Sequence, residues 1–137
     1  MEYNEIKLLK QSEKSTVYLV REKENGQMLI RKVLRGSHPV YLALQECSHP
    51  YLPRLYSVNM TDEMTEVIEE YIDGEPLLSG EKLSRQKILL IIRELCTVLE
   101  FLHGKGIIHR DLKPSNLLMA NDGHIRLIDF DAARTYK

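Results

Sequence analysis

The chain has 137 residues, enough for one domain or for one lobe of a larger one. Its 19 Lys and Arg nearly balance its 20 Asp and Glu, giving a formal net charge of −1, which excludes the overall basic surface usual in nucleic-acid-binding domains. Cys47 and Cys96 stand far apart in the sequence, so we expect neither a disulfide framework nor a cysteine zinc site. With no leader pattern at the start and no long apolar run, we expect a cytoplasmic protein without a membrane or nucleic-acid partner.

The first half of the chain is predicted to form a sheet. Asn25-Gly26 is a strong hairpin signal between two strands. In the second of these strands, the pleat places Met28, Ile30 and Lys32 on one face. The predicted strands are 16–21, 28–34, 55–60 and 66–72.

A single long helix is predicted from Ser84 to Leu102, with Ser84 as its cap and Gly104 and Gly106 as its stop. Eleven of the fifteen residues from 88 to 102 are apolar, so most sides of this helix need cover. Little sequence remains to cover them. We therefore expect the chain to self-associate or to require a partner.

A polar loop, residues 109–116, follows a very short predicted strand, Ile107-Ile108. A hairpin then runs through 117–119 and 125–128, turning at Asp122-Gly123. Loop and hairpin together carry Asp111, Asn116 and Asp129. Such carboxylate and amide oxygens suit Mg²⁺, and a lysine beside them, Lys113, can neutralise phosphate charge.

These residues resemble the protein kinase family. His109 to Asn116 matches the catalytic-loop pattern H-R-D-L-x-x-x-N at every specified position. Asp129-Phe130 stands where that family has its metal-binding D-F-G, and Lys113-Pro114 is similar to the serine/threonine branch. The resemblance implies an α+β fold, with an antiparallel N-lobe sheet in 1–72. Residues 73–137 would then form the first part of the helical C-lobe.

The resemblance further implies ATP-dependent phosphoryl transfer to serine or threonine hydroxyls of proteins, with ATP and Mg²⁺ as cofactors. Asp111 would be the catalytic residue that orients the hydroxyl and accepts its proton. Lys113 would stabilise the transferring phosphoryl group. Asn116 and Asp129 would hold the metal, and Lys32 would contact the ATP phosphates.

The nucleotide pocket is assigned in the same way. Lys32 follows Val17 by fifteen residues, as the resemblance requires. Arg31 is the alternative if the strand slips by one residue, but the pleat favours Lys32. The residues assigned to the adenine pocket are Leu9, Val17 and Ile30 above the base and Leu118 below it, with the backbone of Glu70 and Ile72 at the adenine edge.

Two departures concern the phosphate end of the pocket. The segment 10–17 has no glycine where the family has three, so left-handed backbone there is costly, and Glu13 would repel phosphate. The glutamate of the family's αC helix is also missing. Its expected place is near Val40, in a short connector that predicts a shortened helix, and the nearest substitute, Glu46, is out of register.

Two further departures add acidic groups. Glu69 stands at the gatekeeper place, and Asp131 replaces the glycine of D-F-G. The resemblance covers nearly the whole chain but only the first half of a kinase domain. We therefore expect weak Mg·ATP binding and weak or absent protein kinase activity. Two alternatives stay open: a pseudokinase-like binding or regulatory module without catalysis, and a small-molecule kinase.

Overall fold

A computed structural model of the chain describes residues 2–77 and 82–136. The chain forms two compact units. One consists of Met1–Cys47 with Arg54–Tyr71, and the other of Ser48–Pro53 with Ile72–Lys137. Within the described residues, no helix is both long and apolar enough to cross a membrane.

The first unit is a five-stranded antiparallel sheet with a short helix, and the sheet order is β1-β2-β3-β5-β4. All four predicted strands are confirmed, although the last one starts and ends two residues earlier than predicted. The elements are β1 (Tyr3–Gln11), β2 (Ser15–Glu22), β3 (Met28–Arg35), α1 (Val40–Gln45), β4 (Leu55–Met60) and β5 (Met64–Glu70).

The predicted turn between β2 and β3 forms because its sequence meets the backbone requirement. Gly26 has φ +72°, which glycine adopts at little cost. The Glu22 carboxylate accepts a hydrogen bond from the Asn25 N–H at 2.7 Å and fixes the start of the turn. Val20 and Leu29 on the paired strands are fully buried, which locks the register because a one-residue slip would expose them.

The second unit contains the long helix and two small sheets. Ser84 caps the helix as predicted, its Oγ accepting from the Lys87 N–H at 3.1 Å. The two short strands that begin at Gly74 and at Arg134 were not predicted. The elements are β6 (Gly74–Pro76), α2 (Arg85–Gly104), β7 (Ile107–Ile108), a 3-10 turn (Pro114–Asn116), β8 (Leu117–Ala120), β9 (Ile125–Leu127) and β10 (Arg134–Thr135), in sheets ordered β6-β8-β9 and β10-β7.

Helix α2 is only partly covered. Val98 and Leu102 are 0% exposed, whereas Leu89 and Ile92 are each 52% exposed. The predicted excess of apolar surface on this helix is therefore present. Self-association through it stays a prediction.

Candidate active site

His109 holds the polar loop in place from inside the second unit. Its side chain is buried, with Nε2 2.8 Å from the Ile128 carbonyl oxygen and Nδ1 3.1 Å from the Asp111 backbone nitrogen. Because a backbone N–H can only donate, Nδ1 must accept, and Nε2 must carry the proton that it donates to Ile128. The ring also meets Phe130 edge-on, with centroids 4.7 Å apart. A neutral His109 thus joins the start of the loop to the residues on both sides of Asp129.

The loop presents one carboxylate to solvent. The Asp111 side chain is 38% exposed, and its Oδ2 lies 3.8 Å from the Lys113 Nζ. Asn116, which is 5% exposed, donates from Nδ2 to the Asp111 carbonyl at 2.9 Å and to Asp111 Oδ2 at 3.2 Å. Asp111 is therefore oriented from the buried side and open on the other.

The hairpin brings Asp129 next to Asn116. The Ile128 N–H donates to the Asn116 carbonyl at 3.0 Å, and Asp129 follows directly. Asp129 has φ +62° and Arg110 has φ +71°, a region that costs a non-glycine residue roughly 1–2 kcal/mol. Strained backbone of this kind concentrates at functional sites. Here one such residue directly precedes Asp111 and the other is Asp129 itself.

The donor chemistry fits Mg²⁺. Since both hydrogen bonds from Asn116 Nδ2 go to Asp111, the oxygen Oδ1 is the atom of that amide left for a cation. In the described part of the chain, no three His, Cys, Asp or Glu side chains cluster to hold a metal by themselves. Mg²⁺ in phosphoryl-transfer sites uses one or two protein oxygens with waters and substrate phosphates, which the amide of Asn116 and the carboxylate of Asp129 can supply.

In the first unit, Lys32 lies on β3 directly opposite Val17 on β2. Its Nζ is 3.4 Å from the Tyr41 Oη and 5.8 Å from the centre of that ring, and both side chains are buried. The guanidinium of Arg31, by contrast, is bonded to Glu66 at 2.7 and 2.8 Å. This geometry favours Lys32 over Arg31 for the predicted role.

The strand register groups several predicted pocket residues. Cross-strand pairing of Val17 with Lys32, and of Ile30 with Glu69, places all four on one face of the sheet. Leu9 lies in β1 at a register shift between Leu8 and Lys10 and is 44% exposed.

The other predicted pocket residues lie farther along the chain. Leu118 is a half-buried residue of β8 in the second unit, paired with Pro76 and Arg126. Glu70 ends β5, where its N–H donates to the Arg54 carbonyl at 2.8 Å and its carboxylate accepts from the Arg54 N–H at 3.0 Å. Ile72 follows the strand and is half-buried. The adenine roles of these residues stay predictions.

The turn between β1 and β2 forms without glycine. Ser12 donates its N–H to the Ser15 carbonyl at 2.8 Å, and its Oγ accepts from the N–H groups of Lys14 and Ser15 at 3.3 and 3.2 Å. None of Ser12 to Ser15 has positive φ. Ser12 thus closes the turn without positive φ. Its Oγ, however, accepts hydrogen bonds from the N–H groups of Lys14 and Ser15.

Helix α1 confirms the predicted shortening, since it has six residues and begins at Val40. Glu46 is the exposed residue that ends it. Tyr41 on this helix reaches Lys32, a contact that sequence reasoning missed. The signal that could have found it was its position, one residue after the expected place of the glutamate.

A second missed feature is a buried carboxylate on α2. Glu94 is 3% exposed; its Oε1 accepts from the Ile125 N–H at 3.0 Å, and its Oε2 lies 2.5 Å from His124 Nδ1. Burial alone would raise the pKa of the Glu94 carboxyl, but hydrogen bonds from His124, Ile125 and Tyr51 hold that pKa below its ordinary value. The bond to Glu94 in turn raises the pKa of Tyr51. Glu94 therefore ties α2 to the β8–β9 hairpin that leads to Asp129.

Comparison with known proteins identifies the family. The sequence profile of the protein kinase domain matches residues 3–137. The chain is 31% identical over 133 residues to cAMP-dependent protein kinase type 3 of Saccharomyces cerevisiae, covering 86% of this chain and 33% of that protein. It is 34% identical over 120 residues to a serine/threonine-protein kinase of Arabidopsis thaliana, covering 83% of this chain and 24% of the relative.

A serine/threonine-protein kinase of Neurospora crassa, nrc-2, is 31% identical over 149 residues, covering 96% of this chain and 24% of that protein. The chain thus spans 24% to 33% of the length of these relatives. The chain belongs to the protein kinase domain family. The family prediction and the predicted α+β fold are both confirmed.

Proposed function

We propose that the protein transfers the γ-phosphoryl group of ATP to serine or threonine hydroxyls of proteins. The arrangement that carries this proposal is Asp111, held from behind by Asn116 and flanked by Lys113 at 3.8 Å. A positioned, solvent-open carboxylate beside a lysine is suited to receive a hydroxyl nucleophile next to a phosphoryl group. The serine/threonine kinase names of the relatives support the same substrate class.

In the proposed reaction, Asp111 orients the substrate hydroxyl and accepts its proton. The hydroxyl oxygen forms a bond to the γ-phosphorus as the bond between that phosphorus and the β–γ bridging oxygen breaks, and ADP leaves. Lys113 stabilises the charge on the transferring group. Mg²⁺, when bound by the Asn116 Oδ1 and the Asp129 carboxylate, supplies neutralisation of phosphate charge.

Nucleotide binding would use the face of the sheet that carries Lys32. Its ammonium is proposed to contact the α- and β-phosphates, and Val17 and Ile30 offer apolar contact to the base. Leu9 and Leu118 complete the proposed apolar set, with backbone groups of Glu70 and Ile72 at the adenine edge.

We further propose that the affinity for ATP is weak. In the β1–β2 turn, the N–H groups of Lys14 and Ser15 bond to Ser12, so they are occupied rather than directed at phosphate. Glu13 adds a negative charge to the same turn. These observations also favour the second candidate function, a binding or regulatory module that keeps the fold without catalysis.

A transfer assay with radiolabelled ATP and a mixture of protein substrates separates the two functions. Asp111→Asn should abolish transfer, while Asp62→Asn, at an exposed turn of the first unit, should leave it unchanged. Transfer that survives Asp111→Asn would contradict the proposed mechanism. No transfer above background, even with nucleotide bound, would favour the binding module.

A further inference from the structure

We propose that Tyr51 is a positioning residue for Asp129, the proposed metal ligand, and that it acts through strand β9. The inference rests on the proposed function, because it concerns the metal site of that reaction. Tyr51 lies in the segment Ser48–Pro53, which belongs to the second unit although it precedes β4 in the chain. Strand β9 lies at one end of the sheet β6-β8-β9, and Asp129 follows its last residue by two positions.

Two alternate backbone N–H groups of β9 are bound from outside its sheet. The Ile125 N–H donates to Glu94 Oε1 at 3.0 Å, and the Leu127 N–H donates to the Tyr51 carbonyl at 2.9 Å. Ile125 and Leu127 are both 0% exposed, so neither N–H can turn to water instead. The strand that leads to Asp129 is therefore held at two points, one on α2 and one on Tyr51.

The side chain of Tyr51 joins these two points. Its phenol donates to the Glu94 carboxylate, and this bond is the largest cause of the raised pKa of Tyr51. Its ring stacks on His124 with centroids 6.0 Å apart and meets His49 edge-on at 5.3 Å. One residue thus supplies an acceptor to β9 directly and orients the other acceptor, Glu94. Groups that orient the surroundings of a metal ligand commonly control the affinity for the metal.

His124 is the competing candidate for the same role, since its Nδ1 also bonds to Glu94 Oε2. The His124 side chain is 50% exposed, whereas that of Glu94 is 4% exposed, so water can replace part of what the imidazole supplies. Tyr51 differs from His124 because its own carbonyl also holds Leu127. The positioning role is therefore assigned to Tyr51.

The test titrates the full chain with two ligands, Mn·ATP and metal-free ATP in the presence of EDTA, and follows the amide signals by NMR. Tyr51→Phe removes the Oη and keeps the ring and the carbonyl. We expect Mn·ATP to bind about 2- to 10-fold more weakly, less than the loss typical of a direct partner of a metal ligand. Metal-free ATP should bind unchanged, because it makes no use of Asp129. A general loosening of the fold would weaken both ligands alike.

A second readout follows the Glu94 carboxyl itself by carbon-13 NMR. Burial raises its pKa, and the hydrogen bonds from His124, Ile125 and Tyr51 together bring that pKa below the ordinary value. Removing the Tyr51 Oη should therefore move the pKa of Glu94 upward. Such a shift shows that the phenol acts on Glu94 in the folded chain.

The control is Tyr56→Phe, because the Tyr56 Oη accepts from Gln27 at 3.0 Å in the first unit. It should change neither affinity and should leave the pKa of Glu94 where it is. Tyr51→Met, which lacks both the ring and the Oη, should weaken Mn·ATP binding at least as much as Tyr51→Phe. It provides a second test if Tyr51→Phe does not fold.

Three results would overturn the inference: unchanged Mn·ATP affinity in Tyr51→Phe, equal weakening of both ligands, or an unchanged pKa of Glu94. A wild-type chain in which Mn·ATP broadens the Asp129 signal no more than signals elsewhere would instead remove the proposed metal role of Asp129. The two failures are therefore distinguishable.

Discussion

The Nδ2 atom of Asn116 donates to both the carbonyl (2.9 Å) and the carboxylate (3.2 Å) of Asp111. One buried amide therefore fixes the proposed base, and by using its nitrogen in this way it leaves its oxygen for a cation. If the amide flipped, its oxygen would face the carbonyl and carboxylate oxygens of Asp111 and would be repelled by both. This coupling holds the proposed base in one orientation before any ligand binds.

Asn116→Asp should disrupt this coupling while keeping side-chain size. The new carboxylate would face both the carbonyl and the carboxylate of Asp111, so we expect the free energy of unfolding to fall by about 1–3 kcal/mol. Urea denaturation measures the change. Asn121→Asp, at an exposed position of the hairpin turn, should be close to neutral, and a similar loss in both variants would refute the assignment.

His109→Phe should loosen the loop formed by residues 109–116. The phenyl ring can still pack on Phe130, but it leaves the Asp111 N–H and the Ile128 carbonyl without their partner, at a cost of about 1–3 kcal/mol. Thermal unfolding checks the stability, and NMR checks whether amide signals of residues 109–116 broaden. His103→Phe makes the same change at an exposed position of α2 and should do neither. Unaltered loop signals in His109→Phe would contradict the role of His109 in holding residues 109–116 in place.

Glu94 should make the free energy of unfolding depend on pH in the acidic range. Its pKa in the folded chain lies below the ordinary value of 4.5, so its contribution to stability is fully present above that pH and is lost as the pH falls through the lowered folded-state pKa. Glu94→Gln should cost about 1.5–3 kcal/mol at neutral pH.

The difference between wild type and Glu94→Gln should shrink as the pH falls below the ordinary glutamate pKa, as measured by denaturation at a series of pH values. Glu100→Gln removes an exposed carboxylate from the same helix and should show no such trend. A difference between wild type and Glu94→Gln that is independent of pH would contradict the predicted titration.

Two glycines close in sequence should respond in opposite ways to alanine. Gly106 has φ +76°, and a Cβ there would lie 2.7 Å from the Tyr136 carbonyl oxygen, whereas a Cβ at Gly104 would meet nothing within 4 Å. Gly106→Ala should destabilise the chain by at least about 1 kcal/mol. Gly104→Ala, at the end of α2, should be neutral or stabilising by up to about 1 kcal/mol. Thermal unfolding measures the stability change of both variants. Equal changes would contradict the close approach of the Tyr136 carbonyl to Gly106.

Sequence patterns predicted the elements that are determined by interactions between residues close in the chain. Alternation and Asn25-Gly26 predicted the β2–β3 hairpin, and the Ser84 cap predicted the start of α2. The family was predictable because the residue spacing within 109–116 is characteristic. Strands β6 and β10 have only three and two residues, too few for any periodicity to show.

The contacts of Tyr41 and Glu94 were beyond sequence reasoning because they depend on tertiary neighbours. Tyr41 meets a lysine nine residues away across the connector to α1. Glu94 meets a hairpin about thirty residues later and resembles any solvated glutamate in an amphipathic pattern. Likewise, the missing glycines suggested strain in the β1–β2 turn, but the hydroxyl of Ser12 provides another way to close it.

The most direct test of the proposed site uses ATP with Mn²⁺ in place of Mg²⁺, because the paramagnetic ion broadens NMR signals of nearby nuclei. We predict that Mn·ATP broadens the amide signals of Asn116 and Asp129 first, and that Asp129→Asn suppresses this broadening while Asp62→Asn does not. Broadening confined to other acidic surfaces, or unaffected by Asp129→Asn, would contradict the assignment of the metal–nucleotide site.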